Sequence, residues 1–512
     1  MPLTGGQRDT NPPKVIHIYP DNFTKNFSQK QIVFTFDEKI QLINPDDRII
    51  ITPATSKKLK WNIKNKTLQI ILPDSLQENT TYKIIFNKTI ADLTERNTID
   101  ILEYVFGTGN HIDSLYIKGN VKNQYTLNNE SKVLIALYNE NESDSVVLKY
   151  RPPYFTKTDE QGNYILKNLP NKNFKIFAYK DDNNNFNYDP VKEKIDISEK
   201  FVNPEKDSII NFFVAEEKPS KNLIKRFYSP DAYHIHIIYS YPDTYQLLNP
   251  SQNIYLLNND SLFSDTCQIL IHHIDTAYLI LKNSTQTDTL KIPVNKRKKE
   301  KLQYTAVNLY NNHQPFFQPI TLIANFWIDT FQLKNQIILY KNKDSNNVYK
   351  LKDIKTYPDK IIIYHPLEQN TPYVLKIPVK STDSKDSAYI QKIEFKTNTA
   401  ENYAQLKLNI LFPDKKNYIV TLCNSQHKII YARYIDIPIS ASNQQTVEFK
   451  NIMPDTYILK LIQDDNRNFQ WDTHQYLLNP TKRHLAEKIF LYPQPIKLIN
   501  NWDVVLDWKE VK

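Results

Sequence analysis

Short stretches of alternating apolar and polar residues recur along the whole chain. Typical examples are KQIVFTFDEKI at 30–40, TYKIIF at 81–86, FKIFAYK at 174–180 and DTYILKLI at 455–462. They are rich in β-branched and aromatic residues and are followed by Asn, Asp, Pro or Ser, which is typical of strands that end in turns. Helical spacing is almost absent. The pattern therefore predicts an all-β chain of tandem β-sandwiches and argues against a parallel sheet flanked by helices.

Two different segments occur twice, in the same order. LKNLPNKNFKIFAYKDDNNNF, from Leu166, aligns without a gap with FKNIMPDTYILKLIQDDNRNF, from Phe449, at an offset of 449 − 166 = 283 residues. Upstream, LQENTTY at 76–82 corresponds to LEQNTPY at 367–373, at an offset of 367 − 76 = 291 residues. Recurrence of two unlike segments in one order indicates an internal duplication of a pair of modules.

The first module contains five characteristic segments, NPPKVIHIYP (11–20), IVFTFDEKI (32–40), LQENTTYKIIF (76–86), IADL (90–93) and YVFGTG (104–109). With these segments, the module resembles the bacterial Ig-like domain of surface-layer proteins, the SbsA type. Within this module, Asn79 is expected to form a tight corner that places Tyr82 in the core. The resemblance implies an Ig-like sandwich.

The second module contains TDEQGNYILKNLP at 158–170, where Gly162 is predicted to turn a hairpin and Tyr164 and Leu166 to point inward. With this segment, the module resembles the carboxypeptidase-regulatory, or transthyretin-like, sandwich. With TGGQRDT near the start, the order of modules is similar to that of Ig-like lipoproteins of Bacteroidetes cell envelopes. Those relatives carry a lipid-modified Cys just before the T-G-G, where this chain has Met1 and no Cys. Membrane association is therefore expected only if a lipid anchor precedes Met1.

These observations predict six successive regions. They are an N-terminal extension (1–12), an SbsA-type Ig-like domain (13–110), a transthyretin-like domain (113–215), a central β domain (216–300), a diverged second Ig-like domain (301–400) and a diverged second transthyretin-like domain (401–512). No signal peptide is visible in MPLTGGQRDT. No stretch approaches about 18 consecutive apolar residues, so no transmembrane segment is expected.

Composition excludes several classes of function. The 512 residues include only six Gly, all at or before Gly162, whereas phosphate-cradling loops need clustered Gly. The net charge of +9 is weak support for an anionic partner and poor evidence for nucleic acid. The basic run NKRKKEK at 295–301 is interpreted as a solvated linker, with a patch for phosphate or lipid headgroups as the alternative. Two Cys, at 267 and 423, exclude a disulfide framework.

Two acid-amide loops are the candidate metal sites. The first acid-amide loop is KDDNNNFNYDP (180–190), and the second is QDDNRNFQWDT (463–473). Their side-chain oxygens alternate as in a calcium loop, so calcium is the one cofactor considered. Against an EF-type site, position 6 is Phe and position 12 is Lys192 or Gln475. The alternative is an Asx-rich turn whose aromatic residue plugs the end of the sandwich. The candidate ligands are Asp181, Asn183, Asn185 and Asp189 in the first loop, and Asp464, Asn466, Asn468 and Asp472 in the second.

A histidine group is the other metal candidate. His234 and His236 share one face of a predicted strand, and His272, His273 and Cys267 follow about thirty residues later. Such side chains can hold zinc or copper, although ordinary strand histidines are the simpler interpretation. No catalytic group is predicted.

The function predicted from these features is a non-catalytic cell-envelope protein with a structural, adhesive or complex-scaffolding role. It would lie in the periplasm, at the outer membrane or on the cell surface, with other envelope proteins or a surface glycan as partners and no nucleic acid. One alternative is a carbohydrate-binding accessory to polysaccharide uptake, because exposed Tyr and Trp, including Trp471, could stack on sugar rings. The second alternative is a hydrolase with an inter-domain site.

Overall fold

The computed structural model describes residues 9–511 except residues 75, 191, 220, 258–263, 296–301, 310, 329–332, 334–335, 342–347, 350, 352, 380–388, 439–441, 478–485 and 510. Within that part of the chain, strands dominate, and the helical elements are α1 (Pro45–Arg48) and two 3₁₀ turns, Asp144–Leu148 and Ala400–Asn402. The all-β prediction is confirmed. Almost all of the basic run at 295–301 lies outside the described residues.

The chain divides into two compact units. The first comprises Met1–Glu217 together with Tyr476–His484, and the second comprises Lys218–Gln475 together with Leu485–Lys512. Among the described residues, the first unit contains two successive sandwiches and the second contains three. The prediction of tandem sandwiches is therefore confirmed, while the six region boundaries stay a prediction.

The first sandwich packs a four-stranded sheet, in the order β1-β2-β6-β5, against the sheet β4-β7-β9. Phe34, Leu68 and Ile84 are fully buried between the two sheets. Asn79 has a φ of 50°, and Tyr82 is buried, as predicted. The strands are β1 (Val15–Tyr19), β2 (Gln31–Phe36), β3 (Ile40–Leu42), β4 (Ile49–Thr52), β5 (Lys60–Lys64), β6 (Thr67–Ile71), β7 (Thr81–Asn87), β8 (Ile90–Asp92) and β9 (Ile101–Gly107).

The second sandwich is one seven-stranded sheet, in the order β12-β11-β14-β15-β16-β10-β13, that folds over its own core. Its strands are β10 (Leu115–Asn123), β11 (Val133–Asn139), β12 (Tyr154–Lys157), β13 (Asn163–Leu169), β14 (Phe174–Lys180), β15 (Lys194–Ile197) and β16 (Phe212–Glu216). Both faces of β11 and β14 are buried: Ile176 faces the inner core, and Phe177 faces a second cluster that includes Val147 of the 3₁₀ turn. The alternation predicted for FKIFAYK at 174–180 is therefore not seen in the burial of β14, because both faces of this strand meet apolar neighbours.

Gly162 makes the predicted tight turn, with a φ of 75°. Tyr164 and Leu166 point into the core, as expected. The predicted hairpin is wrong, because β12 pairs with β11 and β13 pairs with β10, so this turn crosses from one half of the sheet to the other.

The third sandwich packs the sheet β17-β18-β21-β20 against β19-β22-β23. Ile235, Ile269 and Leu279 are fully buried in its core. The strands are β17 (Ile224–Tyr228), β18 (His234–Tyr239), β19 (Gln246–Leu247), β20 (Ile254–Leu257), β21 (Thr266–Ile271), β22 (Thr276–Lys282) and β23 (Thr287–Pro293).

The fourth sandwich packs β24-β26-β30-β29 against β25-β32-β31-β27-β28. It repeats the corner of the first sandwich: Asn370 has a φ of 54°, and Tyr373 is buried. The strands are β24 (Tyr304–Ala306), β25 (His313–Gln314), β26 (Ile320–Ala324), β27 (Ile338–Lys341), β28 (Val348–Tyr349), β29 (Asp353–Thr356), β30 (Lys360–Tyr364), β31 (Pro372–Val379) and β32 (Tyr389–Thr397).

The fifth sandwich packs β36-β33-β40 against β35-β34-β37-β38, with β39 also pairing with β37. Its strands are β33 (Ala404–Leu411), β34 (Asn417–Cys423), β35 (Ile429–Asp436), β36 (Gln444–Ile452), β37 (Thr456–Gln463), β38 (Ile489–Leu491), β39 (Ile496–Lys497) and β40 (Asp503–Trp508). The antiparallel pairs β33/β36 and β34/β37 and the parallel pair β33/β40 repeat β10/β13, β11/β14 and β10/β16 of the second sandwich. The second and fifth sandwiches therefore share a topology, as the duplication predicted.

Candidate functional site

The first acid-amide loop leaves the end of β14 and folds on its own side chains. The Asp181 side chain is fully buried, and its Oδ1 accepts the backbone N–H of Phe186 at 3.4 Å. Asn183 Oδ1 accepts the N–H of Asn185 at 2.9 Å, and Asn185 Oδ1 accepts the N–H of Asn187 at 2.7 Å. These successive Asx turns replace the backbone hydrogen bonds that a strand or helix would supply.

Glu193 closes this loop, and the sequence analysis missed it. Its two carboxylate oxygens accept the backbone N–H groups of Asp182 at 3.1 Å and Asp189 at 2.8 Å. Burial raises the pKa of Glu193, and the negative charges of Asp189 and Asp181 add to the effect. The signal in the sequence is an acidic residue one position beyond Lys192, the twelfth position of the calcium-loop pattern.

The second acid-amide loop repeats this arrangement. Glu487 accepts the backbone N–H groups of Asp465 and Asp472, each at 2.8 Å. Burial raises the pKa of Glu487 to about 7, and the charges of Asp472 and Asp464 act in the same direction. Glu487 follows Asp472 by 487 − 472 = 15 residues, whereas Glu193 follows Asp189 by only 193 − 189 = 4. The additional 15 − 4 = 11 residues hide the correspondence from a gapless alignment.

The Phe at the sixth position of each loop does not prevent the turn. Phe186 has a φ of 64° and Phe469 a φ of 62°, so both adopt the left-handed conformation for which calcium loops use Gly. The missing Gly is therefore not evidence against calcium binding, because both Phe residues adopt the backbone conformation for which calcium loops use Gly.

Ammonium groups lie against both loops. Lys157 Nζ is 3.5 Å from Asp181 Oδ2, and Lys218 Nζ is 2.6 Å from Asp472 Oδ1. Amide nitrogens also point at the last aspartate of each loop: Asn183 Nδ2 donates to Asp189, and Asn466 Nδ2 and Asn468 Nδ2 donate to Asp472. A calcium ion needs six or more oxygens that converge on it.

The side chains as they stand fit a hydrogen-bonded turn with a lysine counter-ion better than a calcium cage. Across the described part of the chain, no group of three His, Cys, Asp or Glu side chains is placed to hold a metal ion. Calcium binding at these loops stays a prediction that the geometry does not favour.

The histidine group does not assemble around Cys267. His234 Nδ1 lies 3.0 Å from an Asp231 carboxylate oxygen, and the β18/β21 register places Cys267 opposite Ile237, in the core. Because neighbouring strand residues point to opposite faces, His234 and His236 face away from that core. Burial raises the pKa of the Cys267 thiol to about 12, which is unlike a metal-binding thiolate.

A polar cleft of about 470 Å³ lies beside the second acid-amide loop. It forms where β34 begins, β35 ends and the loop leaves β37, because the register pairs Asn417 with Asp436 and Tyr418 with Gln463. The lining residues are Lys415, Lys416, Asn417, Asp436, Ile437, Pro438, Asp465 and Arg467. We call this set the loop-end cleft.

An exposed aromatic pair flanks the loop-end cleft. The rings of Tyr434 and Phe469 are 4.6 Å apart at 65°, and these residues are 41% and 44% exposed. In the first loop, the equivalent Phe186 is instead packed against Phe155 at 5.0 Å and under the Arg151 guanidinium at 4.1 Å. Trp471, expected to be available for stacking, is half-buried, and its Nε1 donates to the Glu487 carbonyl at 3.0 Å.

Comparison with known families covers the first sandwich. Residues 9–108 match the family model described as a bacterial Ig-like domain. The match confirms a bacterial Ig-like domain in the first module, and the assignment of this module to the SbsA type stays a prediction. A search of curated proteins returned no match. Within the described residues, no helix is both long and apolar enough to cross a bilayer.

Solved structures give only distant likenesses. The Bacillus anthracis TIE protein is 10% identical and is matched over 99% of this chain and 76% of its own, with a TM-score of 0.13. BcpA, the major pilin subunit of Bacillus cereus, is 8% identical over 78% of this chain and 99% of its own, with a TM-score of 0.16. Domains 1–6 of the surface layer protein SbsC are 12% identical over 95% of this chain and 67% of their own, with a TM-score of 0.14. These scores are too low to support an argument about function.

Proposed function

We propose that this chain is a non-catalytic scaffold of the bacterial cell envelope, which holds other envelope proteins in a fixed arrangement. The Ig-like domain at 9–108 is compatible with a structural role. The resemblance of the first two modules to envelope lipoproteins of the Bacteroidetes supports the compartment. Within each unit, successive sandwiches present their end loops on a framework of β-strands, which suits adhesion or scaffolding.

The observation that carries the proposal is the fixed junction between successive sandwiches inside each unit. In the first unit, the N–H of Ala54 donates to the Pro153 carbonyl, and the N–H of Asp113 donates to Thr81 Oγ1, each at 2.8 Å. In the second unit, the rings of Phe317 and Tyr403 are 5.1 Å apart. Hydrogen bonds and packed rings at such junctions restrict the rotation of one sandwich against the next.

Fractionation and cross-linking in the source bacterium test the proposal. We expect the protein in the envelope fraction, cross-linked to the same envelope proteins in repeated experiments. Tyr403→Ala removes a buried ring from a junction of the second unit and should reduce the yield of cross-linked partners, while the exposed Tyr364→Ala should not. Recovery in the cytosolic fraction alone, or an unchanged cross-linking pattern for folded Tyr403→Ala, would overturn the scaffold role.

A further inference from the structure

We propose that one face of the second sandwich contacts a membrane that contains anionic lipids. The face is formed by β10, β13 and the segment that leads into β16, and its outward positions include four apolar residues and three lysines. They are Tyr116, Ile165, Ile209, Phe213, Lys118, Lys122 and Lys167, and we call this set the basic-apolar face. The inference goes beyond the scaffold role and can fail without affecting it. It is also independent of the lipid anchor on which membrane association was expected to depend.

Strand pairing places the central row of this face. Lys118 of β10 lies opposite Ile165 of β13, and a parallel bridge joins Lys118 to Ile209 on its other side. The neighbouring residues Ile117 and Ile210 pack into the core of the sandwich. Because side chains alternate along a strand, Lys118 and the two isoleucines beside it point away from that core. A lysine therefore lies between two apolar side chains on the outer surface.

The same combination recurs along β10. Two residues before Lys118, Tyr116 lies opposite Lys167, and beyond a row of asparagines Lys122 lies opposite Phe213. Lys118 Nζ is 5.8 Å from the centre of the Tyr116 ring, so the ammonium group and the ring reach the same surface. Each of the three rows thus joins a lysine to an apolar side chain.

The apolar members of the basic-apolar face are exposed. Ile209 is 65% exposed, Ile165 is 44% exposed, and Tyr116 and Phe213 are each 40% exposed. Adjoining apolar residues on a surface mark a site of interaction more often than scattered ones do. Apolar side chains beside lysines suit the interface of a bilayer, because the apolar groups enter the headgroup region while the ammonium groups stay among the phosphates.

The fifth sandwich shows that the shared topology does not need these apolar residues. The strand registers place Glu448 at the position of Ile165 and Lys509 at the position of Phe213. Both positions are exposed in both sandwiches. Charged side chains thus occupy in one copy the positions that apolar side chains occupy in the other. We therefore attribute the apolar residues of the second sandwich to contact with a partner.

The charges of the face suit an anionic layer. Lys118 and Lys167 are exposed, and Lys122 is half-buried. In the described part of the second sandwich, the lysines paired with carboxylates are Lys157, Lys175, Lys180 and Lys194, and none belongs to the face. Asp207 lies at the end of the face, two residues before Ile209, and its Oδ2 accepts the N–H of Asn203 at 3.0 Å. Three positive charges therefore share this surface with one carboxylate.

The size of the face favours a bilayer over a folded protein partner. Strands rise about 3.3 Å per residue and lie about 4.8 Å apart, so the face measures about 20 Å by about 15 Å, or roughly 300 Å². A stable protein complex buries about 800 Å² on each partner. Binding to lipid instead increases with each apolar side chain and each lysine that reaches the interface, and it needs no complementary shape.

Co-sedimentation of the 512-residue chain with vesicles tests the inference. The probes are vesicles of phosphatidylcholine alone and vesicles of equal parts phosphatidylcholine and phosphatidylglycerol, and a polyglutamate peptide represents an acidic protein partner. We expect binding to the anionic vesicles to be stronger by about tenfold or more, and increased salt to weaken it. Equal binding to both kinds of vesicle, or no binding to either, would overturn the inference. Binding of the peptide without binding of the vesicles would also overturn it.

Matched variants locate the contact. Ile165→Glu introduces the residue that the fifth sandwich carries at this position, and it should weaken vesicle binding by about tenfold or more at an unchanged melting temperature. Lys118→Gln should weaken binding by about fivefold. The controls are Val505→Glu, at a residue 61% exposed in the fifth sandwich, and Lys407→Gln, at the counterpart of Lys118. Both make the same change of charge and should bind as the wild type does. Undiminished binding by folded Ile165→Glu, or equal losses in Lys118→Gln and Lys407→Gln, would overturn the inference.

Discussion

At the scale of single residues, two buried carboxylates organise the acid-amide loops. Glu193 and Glu487 are 3% and 1% exposed, and each accepts two backbone N–H groups from its own loop. The hydrogen bonds favour the charged carboxylate, whereas burial favours the protonated one. Burial prevails at both positions, because the pKa of each residue is raised.

The raised pKa of Glu487 makes the stability of the second unit depend on pH. The folded state holds this proton up to about pH 7, and the unfolded state only up to about 4.5. Between these values the folded state binds more protons, so the contribution of Glu487 to stability is present at low pH and is lost as pH rises through 7. We expect the melting temperature of the second unit to fall less between pH 5 and 8 in Glu487→Gln than in the wild type.

A charge-matched control belongs with this measurement. Glu448→Gln changes a half-exposed carboxylate in the same sandwich. The melting temperature of this variant should change with pH as it does in the wild type. If the melting temperatures of the wild type and Glu487→Gln change in parallel with pH, the assignment of the titration to Glu487 is contradicted.

At the scale of elements, a tyrosine corner precedes β7 and recurs before β31. Tyr82 OH accepts the N–H of Gln77 at 2.8 Å, and Tyr373 OH accepts the N–H of Glu368 at 3.0 Å. In the first corner, Thr108 Oγ1 accepts the N–H of Thr80, and Thr397 does the same for Thr371 in the second. Both copies of the corner therefore have an Asn in the left-handed conformation and the same side-chain hydrogen bonds.

Removal of the tyrosine hydroxyl tests the corner in both copies. Tyr82→Phe and Tyr373→Phe should each lower the free energy of unfolding of their own sandwich by about 1 kcal/mol, because a backbone N–H loses its acceptor. Chemical denaturation measures the free energy of unfolding, and hydrogen exchange at Gln77 and Glu368 measures the protection of the two N–H groups. Tyr150→Phe, at a residue 65% exposed, is the control and should change neither quantity. Equal protection of Gln77 in the wild type and Tyr82→Phe would contradict the role of the hydroxyl.

The lysine beside the first acid-amide loop gives a test of the calcium prediction. Lys157→Met removes the ammonium group that lies 3.5 Å from the buried Asp181 carboxylate. We expect a loss of about 2 kcal/mol in stability, since a buried charge loses its partner, and no loss in the exposed Lys149→Met. Because the ammonium group already lies at this carboxylate, a chelator should leave the wild-type melting temperature unchanged. A fall of several degrees with the chelator would support calcium and contradict the lysine assignment.

At the scale of the whole molecule, the first unit includes residues from a distant part of the chain. Glu217 is 2% exposed, and its Oε1 accepts the backbone N–H groups of Tyr476 at 2.5 Å and Leu477 at 2.8 Å. Leu477 packs against the second apolar cluster of the second sandwich, the one that contains Phe177 and Val147. Tyr476 and Leu477 belong to the additional residues between Asp472 and Glu487, so the insertion in the second loop has a structural role in the first unit.

Glu217 is therefore expected to stabilise the first unit across this long sequence separation. Glu217→Ala leaves two backbone N–H groups without their acceptor and should lower the stability of the first unit by about 2–3 kcal/mol. Hydrogen exchange at Tyr476 and Leu477 should accelerate in the same variant. Glu199→Ala, at an exposed carboxylate, serves as the control. Unchanged exchange at Tyr476 and Leu477 would show that Glu217 does not hold them.

Local patterns predicted much of the fold. Alternation predicted β2, runs rich in β-branched and aromatic residues predicted β7 and β37, and the recurrence of LQENTTY as LEQNTPY predicted the repeated corner. These predictions succeeded because strand alternation and left-handed turns depend on neighbouring residues. The closing carboxylate Glu487 was missed, because its distance from Asp472 differs from the spacing in the first loop.

The sequence by itself determined that the chain is all-β, that two modules are repeated and that an acid-amide turn follows β14 and β37. Only the tertiary structure decided which carboxylates close those turns, that Lys157 and Lys218 lie beside their aspartates, and that the ring of Tyr434 meets that of Phe469. The physical reason is that alternation and turns are properties of adjacent residues. Burial, hydrogen-bond partners and electrostatic neighbours depend instead on which strands lie side by side in the fold, and those strands are far apart in the sequence.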